Sequence, residues 1–285
     1  MIPGQTAAKP EPIDELARMG AKAEPLGRAG LQIFQLPDSF RFGEEQVCLA
    51  HFASEQIQPR KRLLSARGEK PLRIVDPGSG SGILTLLLSA LIPGSRGLAV
   101  ELMDRPFTLL EANLEANGLF GRFQAEQQDL RRLAVEGIPD ELQPGSFDLV
   151  VANPPYFVPG RGPVRDDSTE GAREIAAARE ERYVSLAEYL QCCAAWLAPG
   201  GVLTLLHRPD RLTDVLRICN EQGLTVTLLR AITPHAGDKP SAFLLAAKKQ
   251  PGAGFLWQRD LIVRREDGTY TDELRAYYQE TESYD

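Results

Sequence analysis

The chain reads as an α/β protein: a mainly parallel sheet of seven strands, helices on both faces, and an antiparallel hairpin at one edge. Three observations predict this. Apolar strand-like runs alternate with helix-spaced runs from LRIVD onward, which is the signature of βαβ units. A glycine-rich stretch joins the first of these strands to its helix. Two late apolar runs, LTVTLLRAI and SAFLLAAKK, follow one another with only a Pro- and Gly-containing segment between them, as a hairpin requires.

Taken in order, the strands are LRIVD, GLAVEL, a run ending at Asp129, FDLVVA and GVLTLLH, then the hairpin pair. The intervening helices run from Gly82, from Asp104 to Asn117, from Ser185 to Leu197 and from Asp210 to Gln222. Ahead of this body, residues 1–28 are rich in Pro, Gly, Ala and charge, and are expected to form a loose tail. Residues 29–70 form a cover segment, in which LQIFQL alternates as a strand and FRFG leads into a helix-spaced run carrying Val47, Leu49, Ala50 and Phe52. The main domain, cover segment included, therefore spans 29–250, and Pro251 to Asp285 is a polar extension with one helix candidate, TDELRAYY.

Composition excludes several classes. With 285 residues, 43% hydrophobic and 25% charged, the chain is globular rather than disordered or fibrous. Its longest apolar run, Ile83 to Ile92, contains Thr85 and Ser89 and stops at Pro93, well short of the roughly 20 residues of a membrane span. No signal peptide is evident, so a cytoplasmic protein is expected. Cys48, Cys192, Cys193 and Cys219 form no CxxC pair and have no histidine cluster beside them, so neither a metal site nor a disulfide framework is expected. A net charge of -7 argues against a surface that binds nucleic acid throughout. A local patch is still compatible with it. Arg60, Lys61, Arg62, Arg67, Lys70 and Arg73 are either a solvated charge run or such a patch for RNA phosphates.

Residues Asp76 to Gly82 read DPGSGSG between a strand and a helix. Gly78, Gly80 and Gly82 fall at alternate positions, unlike the dinucleotide fingerprint, which disfavours NAD and FAD. The stretch instead resembles the first motif of Rossmann-like methyltransferases that use S-adenosyl-L-methionine. That ligand has a positive centre and an amino-acid end, for which a carboxylate such as Asp76 and helix-N-terminal amides are sensible partners. Glu101, at the tip of the next strand, is suited to accept hydrogen bonds from both ribose hydroxyls, and Asp129, at the third strand end, to contact adenine. A helix cap is the competing reading of each acid.

FDLVVA runs into Asn153-Pro154-Pro155-Tyr156. Proline fixes φ and has no N–H, so Pro154 and Pro155 hold a rigid turn that presents Asn153 and the Pro154 carbonyl outward. Those two oxygens suit an acceptor NH2 group. By taking one N–H each, they would turn the nitrogen lone pair toward the methyl donor, and positioning then carries most of the rate. Tyr156 and Phe157 are candidates to stack on a planar acceptor. Arg161 and Arg165, beside Asp166, Asp167 and Glu170, are either part of a lid over it or simply paired with those acids. His51, His207 and His235 are expected to be structural.

With FRFGEEQVCLAHFA, DPGSGSGILTLLLSA, AVELMDRPFTLLEANLEANGL, FDLVVANPPYF, LAPGGVLTLLHRPDRL, ITPHAGDKPSAFLLAAKK and LIVRREDGTYTDEL, the chain resembles the bacterial adenine-N6 methyltransferases that modify valine tRNA. The resemblance covers most of residues 30–280 and implies a class I methyltransferase fold. It also implies S-adenosyl-L-methionine as cofactor and an adenine amino group of RNA, foremost tRNA, as acceptor. It departs from the family's usual pattern at Glu45, where Asp is common, at Arg179-Glu180-Glu181, where a histidine is common, and at Pro77. Two other acceptors share the NH2 geometry: the side-chain amide of a protein glutamine, as in release factors, and guanine N2 of ribosomal RNA.

Overall fold

The computed structural model describes residues 16, 18–26, 30–39, 41–66, 71–136, 143–158, 168–250, 252 and 254–278. Most of the N-terminal tail, Arg67, Lys70, Arg161, Arg165, Asp166, Asp167 and the last seven residues lie outside them.

Strands β1 (Lys22–Pro25) and β2 (Gln32–Gln35) pair antiparallel as a small sheet of their own. Helix α1 (Glu44–Ala66) follows, and the parallel body then begins with β3 (Arg73–Pro77), α2 (Ile83–Leu91), β4 (Arg96–Glu101), α3 (Asp104–Ala116), β5 (Phe123–Gln127) and α4 (Leu130–Glu136). It continues with β6 (Phe147–Ala152), α5 (Glu170–Arg179), α6 (Leu186–Trp196), β7 (Leu197–His207), a short 3-10 turn (Pro209–Arg211) and α7 (Leu212–Glu221). Strands β8 (Thr225–Thr233), β9 (Ala242–Lys248) and β10 (Leu256–Ile262) and helix α8 (Asp272–Tyr278) complete the described chain.

The main sheet has eight strands in the order β10-β8-β9-β7-β6-β3-β4-β5, one more than the seven expected. The extra strand is β10, from the segment read as a polar extension. It pairs parallel with β8 and so moves the β8-β9 pair inward from the edge. Only Leu261 of β10 is buried, because an edge strand is held largely by its main-chain ladder. Its apolar pattern is correspondingly weak. The same segment then returns to the core: Leu274 and Tyr277 of α8 are buried, and Tyr277 stacks on His51 of α1 with ring centroids 4.1 Å apart.

Side chains alternate across the sheet, as the period of two demands. Ile74, Leu149 and Val151 face the core beneath α1 and α2, whereas Val75, Val150 and Ala152 face the core beneath α6, which also holds Trp196 and Cys193. Strand β6 is buried along its whole length. Helix α6 begins with the Ser185–Glu188 capping box, so its start was written locally. All four cysteines are buried free thiols. Among the described residues no helix is long and apolar enough to cross a membrane, and no side-chain cluster suits a metal ion.

Helix α1 is longer than its apolar spacing indicated, at 23 residues, and carries Arg60, Lys61 and Arg62 of the basic stretch. Arg60 is not part of a solvated run. Its Nε donates to Asp148 Oδ1 at 2.6 Å and its Nη1 to the Pro199 carbonyl, which binds α1 to β6 and to the start of β7.

Candidate active site at the carboxyl ends of the strands

Strand β3 ends in a loop whose glycines, Gly78, Gly80 and Gly82, all have positive φ (70°, 56° and 86°), a region open to glycine at little cost. Ser79 donates its N–H to the Val100 carbonyl and Gly80 donates to Glu101 Oε2 at 2.8 Å, so the loop is moored to the tip of β4. Gly78 and Gly80 line a cleft of about 1300 Å³, its open mouth included. Gly82 does not. A Cβ there would fall 2.7 Å from Leu110 Cδ1, so this glycine permits α2 to pack against α3 rather than a ligand to approach.

The three acids expected at successive strand ends occupy different settings. Asp76 is buried below the loop and is not among the cleft-lining residues. Its Oδ2 accepts from Thr85 Oγ1 at 2.8 Å, and burial, aided by the Glu101 charge, raises its pKa to about 7. Glu101 lies in the cleft wall with Oε1 accepting the N–H groups of Leu102 and Met103 and Oε2 that of Gly80. Burial raises its pKa against the pull of those three bonds. A carboxylate has about four lone-pair sites, so roughly one is left for a ligand, where the sequence expectation needed two. Asp129 lies two residues beyond β5 and lines the cleft, but it also caps α4, accepting from Arg131 N at 2.9 Å, and its carboxylate is paired with the Arg131 side chain. That pairing lowers its pKa.

At the tip of β6, Asn153 and Pro155 line the cleft and Pro154 is buried. Tyr156 turns inward: its hydroxyl lies 2.7 Å from Asn153 Oδ1 and 3.4 Å from Glu45 Oε2, and its ring centroid is 5.6 Å from that of His207. The Phe157 ring is covered by the Arg208 guanidinium at 5.4 Å. Neither aromatic ring is part of the cleft wall, which departs from the stacking expected of them. His207 is fully buried, and burial lowers its pKa to about 4. The Arg208 N–H donates to its Nδ1 at 2.8 Å, which assigns the imidazole proton to Nε2, an atom with no hydrogen-bond partner among the described residues.

Several lining residues carry no signature in the sequence. Tyr189 of α6 donates its hydroxyl to the Pro77 carbonyl and lines the cleft beside Gly78 and Asn153. It reads in sequence as one more residue of an apolar helix. Helix α5 forms a wall through Glu174, Ala177 and Ala178. Glu174, almost fully buried, binds Ser39 of the cover segment and Arg105 of α3, and Arg105 also holds Asp38 at 3.0 Å. Residues more than a hundred positions apart thus close one side of the cleft. The adjoining surface of Leu102, Met103, Leu109 and Leu130 is an apolar slot. A slot of this kind next to a carboxylate with a spare lone pair and a glycine loop is a donor set that fits an adenosine-bearing ligand.

No family model matches the chain. A tRNA1(Val) (adenine(37)-N6)-methyltransferase of Aeromonas hydrophila is 28% identical over 201 residues, covering 70% of this chain and 78% of the relative. Among solved structures, an O-methyltransferase-type protein from Agrobacterium tumefaciens superposes with a TM-score of 0.56 at 18% identity, over 73% of this chain and 90% of that one. The hMettl16 catalytic domain, solved in complex with a MAT2A 3′UTR hairpin, gives 0.53 at 16% identity, over 85% and 79%. The fold is that of class I methyltransferases, and the resemblance carried by the sequence motifs is borne out.

Proposed function

We propose that this chain is an S-adenosyl-L-methionine-dependent N-methyltransferase whose acceptor is the exocyclic amino group of adenine in RNA, foremost tRNA, acting in the cytoplasm. One observation carries the reading: the glycine loop and Asn153 of the NPPY turn line the same cleft, so a cofactor site and an amino-acceptor site adjoin. The name of the curated relative supports adenine and tRNA as the acceptor.

In this reading Gly78 and Gly80 let the loop approach the cofactor, and Glu101 offers its remaining lone pair to the ribose. Leu102, Met103 and Leu130 hold the adenine, with Asp129 at the rim. When bound, the cofactor supplies a methyl group on a positively charged sulfur, already activated for displacement. Asp76, bound to Thr85 beneath the loop, supports the loop rather than touching the cofactor. Asn153 and the Pro154 carbonyl orient the acceptor amine, Pro154 and Pro155 keep that turn rigid, and Tyr156 and Phe157 shape the acceptor side from behind it. Such orientation is where the rate comes from, since it replaces an unfavourable encounter with a fixed geometry. Residues 29–250 form the catalytic domain, with 29–70 as its N-terminal cover segment and 251–285 as a C-terminal extension.

The test is mass spectrometry of nucleosides from bulk tRNA of a strain lacking the gene and of its parent, with labelled cofactor and purified protein as the complement. Loss of N6-methyladenosine in the deletion strain, and transfer of label to that strain's tRNA, are expected. Label that enters a release factor instead would move the assignment to protein glutamine.

A further inference from the structure

We infer that Glu45 is a positioning residue of the acceptor site: through the Tyr156 hydroxyl it decides whether the Asn153 side-chain oxygen is open to the acceptor's amino group. The inference rests on the functional reading above and adds to it a residue and a device.

The Tyr156 hydroxyl lies between two acceptors, Asn153 Oδ1 at 2.7 Å and Glu45 Oε2 at 3.4 Å. A phenol has one hydrogen, so it serves one of them at a time. The distances give that hydrogen to Asn153. There it occupies part of the oxygen that the acceptor's N–H needs, and the amide is partly plugged by its own neighbour three residues along.

An ionised Glu45 is the group able to withdraw the plug, since a hydrogen bond to a carboxylate is roughly twice as strong as one to a neutral oxygen. Glu45 sits in the first turn of α1, a helix anchored along the core, so its backbone is fixed relative to the NPPY turn. The influences on it divide. Burial and the neighbouring Glu44 oppose the carboxylate, the Tyr156 hydrogen bond and the charges of Arg208 and Arg179 favour it, and the balance, set by burial, raises its pKa. Glu44 is itself turned toward Arg264 and Tyr270. His207, beside the Tyr156 ring, is held neutral by burial and adds no charge. Arg208 is kept in place over Phe157 and by Asp210 at 3.5 Å. With Glu45 neutral, the Tyr156 hydrogen stays on Asn153; with Glu45 ionised, the hydroxyl turns to the carboxylate and the amide oxygen faces the cleft unencumbered.

The experiment uses the full chain with tRNA from the deletion strain, and measures kcat and KM between about pH 5 and 8.5 for the wild type, Glu45→Gln, Glu45→Asp, Tyr156→Phe and the Glu45→Gln, Tyr156→Phe double variant. Glu45→Gln is expected to lower kcat about tenfold at the alkaline end and to abolish its rise with pH, with the cofactor Kd within about twofold of wild type by calorimetry. Glu45→Asp, which keeps the carboxylate, retains a rise with pH. In the Tyr156→Phe background, where no hydroxyl is left to withdraw, adding Glu45→Gln changes kcat by less than about twofold. A wild-type pH profile in Glu45→Gln, or an undiminished loss in the Tyr156→Phe background, overturns the assignment of Glu45 alone. A wild-type protein that binds cofactor but methylates no RNA overturns the functional reading and this inference with it.

Discussion

Tyr189 donates its phenolic hydrogen to the Pro77 carbonyl, so a helix on one face of the sheet supports the backbone from which the glycine loop departs. Its ring also lies 3.7 Å from where a Cβ on Gly78 would stand. Tyr189→Phe leaves a buried carbonyl unpaired, a loss of about 1–2 kcal/mol. The expected result is a lower urea midpoint together with weaker cofactor binding by calorimetry. An unchanged midpoint would separate the helix from the loop.

Gly82 combines a φ of 86° with a close approach to Leu110. Gly82→Ala is expected to cost about 2 kcal/mol, from the left-handed backbone and the displaced leucine end. Because Gly82 is not in the cleft wall, cofactor affinity measured well below the melting temperature should fall far less than for Gly80→Ala. Equal losses in the two variants would return Gly82 to the binding surface.

Arg60 and Asp148 form a largely buried pair, with side chains 17% and 10% exposed. Breaking such a pair from one side leaves the other charge stranded, so Arg60→Ala is expected to lose about 2–4 kcal/mol of stability. The salt dependence of RNA binding is the decisive second measurement. A slope smaller by about one than that of the wild type would mark Arg60 as a phosphate contact after all.

Asp76 and His207 pull the pH dependence of stability in opposite directions. The Asp76 pKa rises on folding from 3.8 to about 7, so the native state holds the extra proton and stability falls as pH rises through that window. His207 falls from 6.5 to about 4, so the unfolded state holds the proton and stability is lost as pH falls through its window. Asp76→Asn should therefore make stability rise more steeply with pH than in the wild type between about 4 and 6.5, and His207→Phe should make it fall more steeply. Urea midpoints across that range read both slopes.

Asn153→Ala is expected to keep cofactor affinity and lose at least about tenfold in turnover, equivalent to about 1.4 kcal/mol of barrier. Full turnover in this variant would remove the side chain from the mechanism and leave the backbone of the turn as the orienting element.

Much of the fold was legible because its rules are local. The alternation that sends Val150 and Val151 of β6 to opposite cores, and the Ser185–Glu188 box that opens α6, need only a few consecutive residues. Strand β10 escaped because Leu261 alone is buried in it, which leaves too little periodicity to see. In the candidate site, DPGSGSG and NPPY stood out as motifs, yet neither says which of its side chains faces the cleft. Gly82 and Asp76 turn to packing and to Thr85, and Tyr156 turns to Asn153 and Glu45.

By itself the chain's order of residues determined a parallel α/β body, the turns at the ends of β3 and β6, and hence which end of the sheet carries the chemistry. Backbone propensity and hydrophobic period act over a handful of residues, so they survive in one dimension. Partnership does not. Arg60 with Asp148, Glu174 with Ser39, and Tyr189 with Pro77 meet across 88, 135 and 112 positions, and only the packed tertiary structure decides which polar groups satisfy one another there and which are left for a ligand.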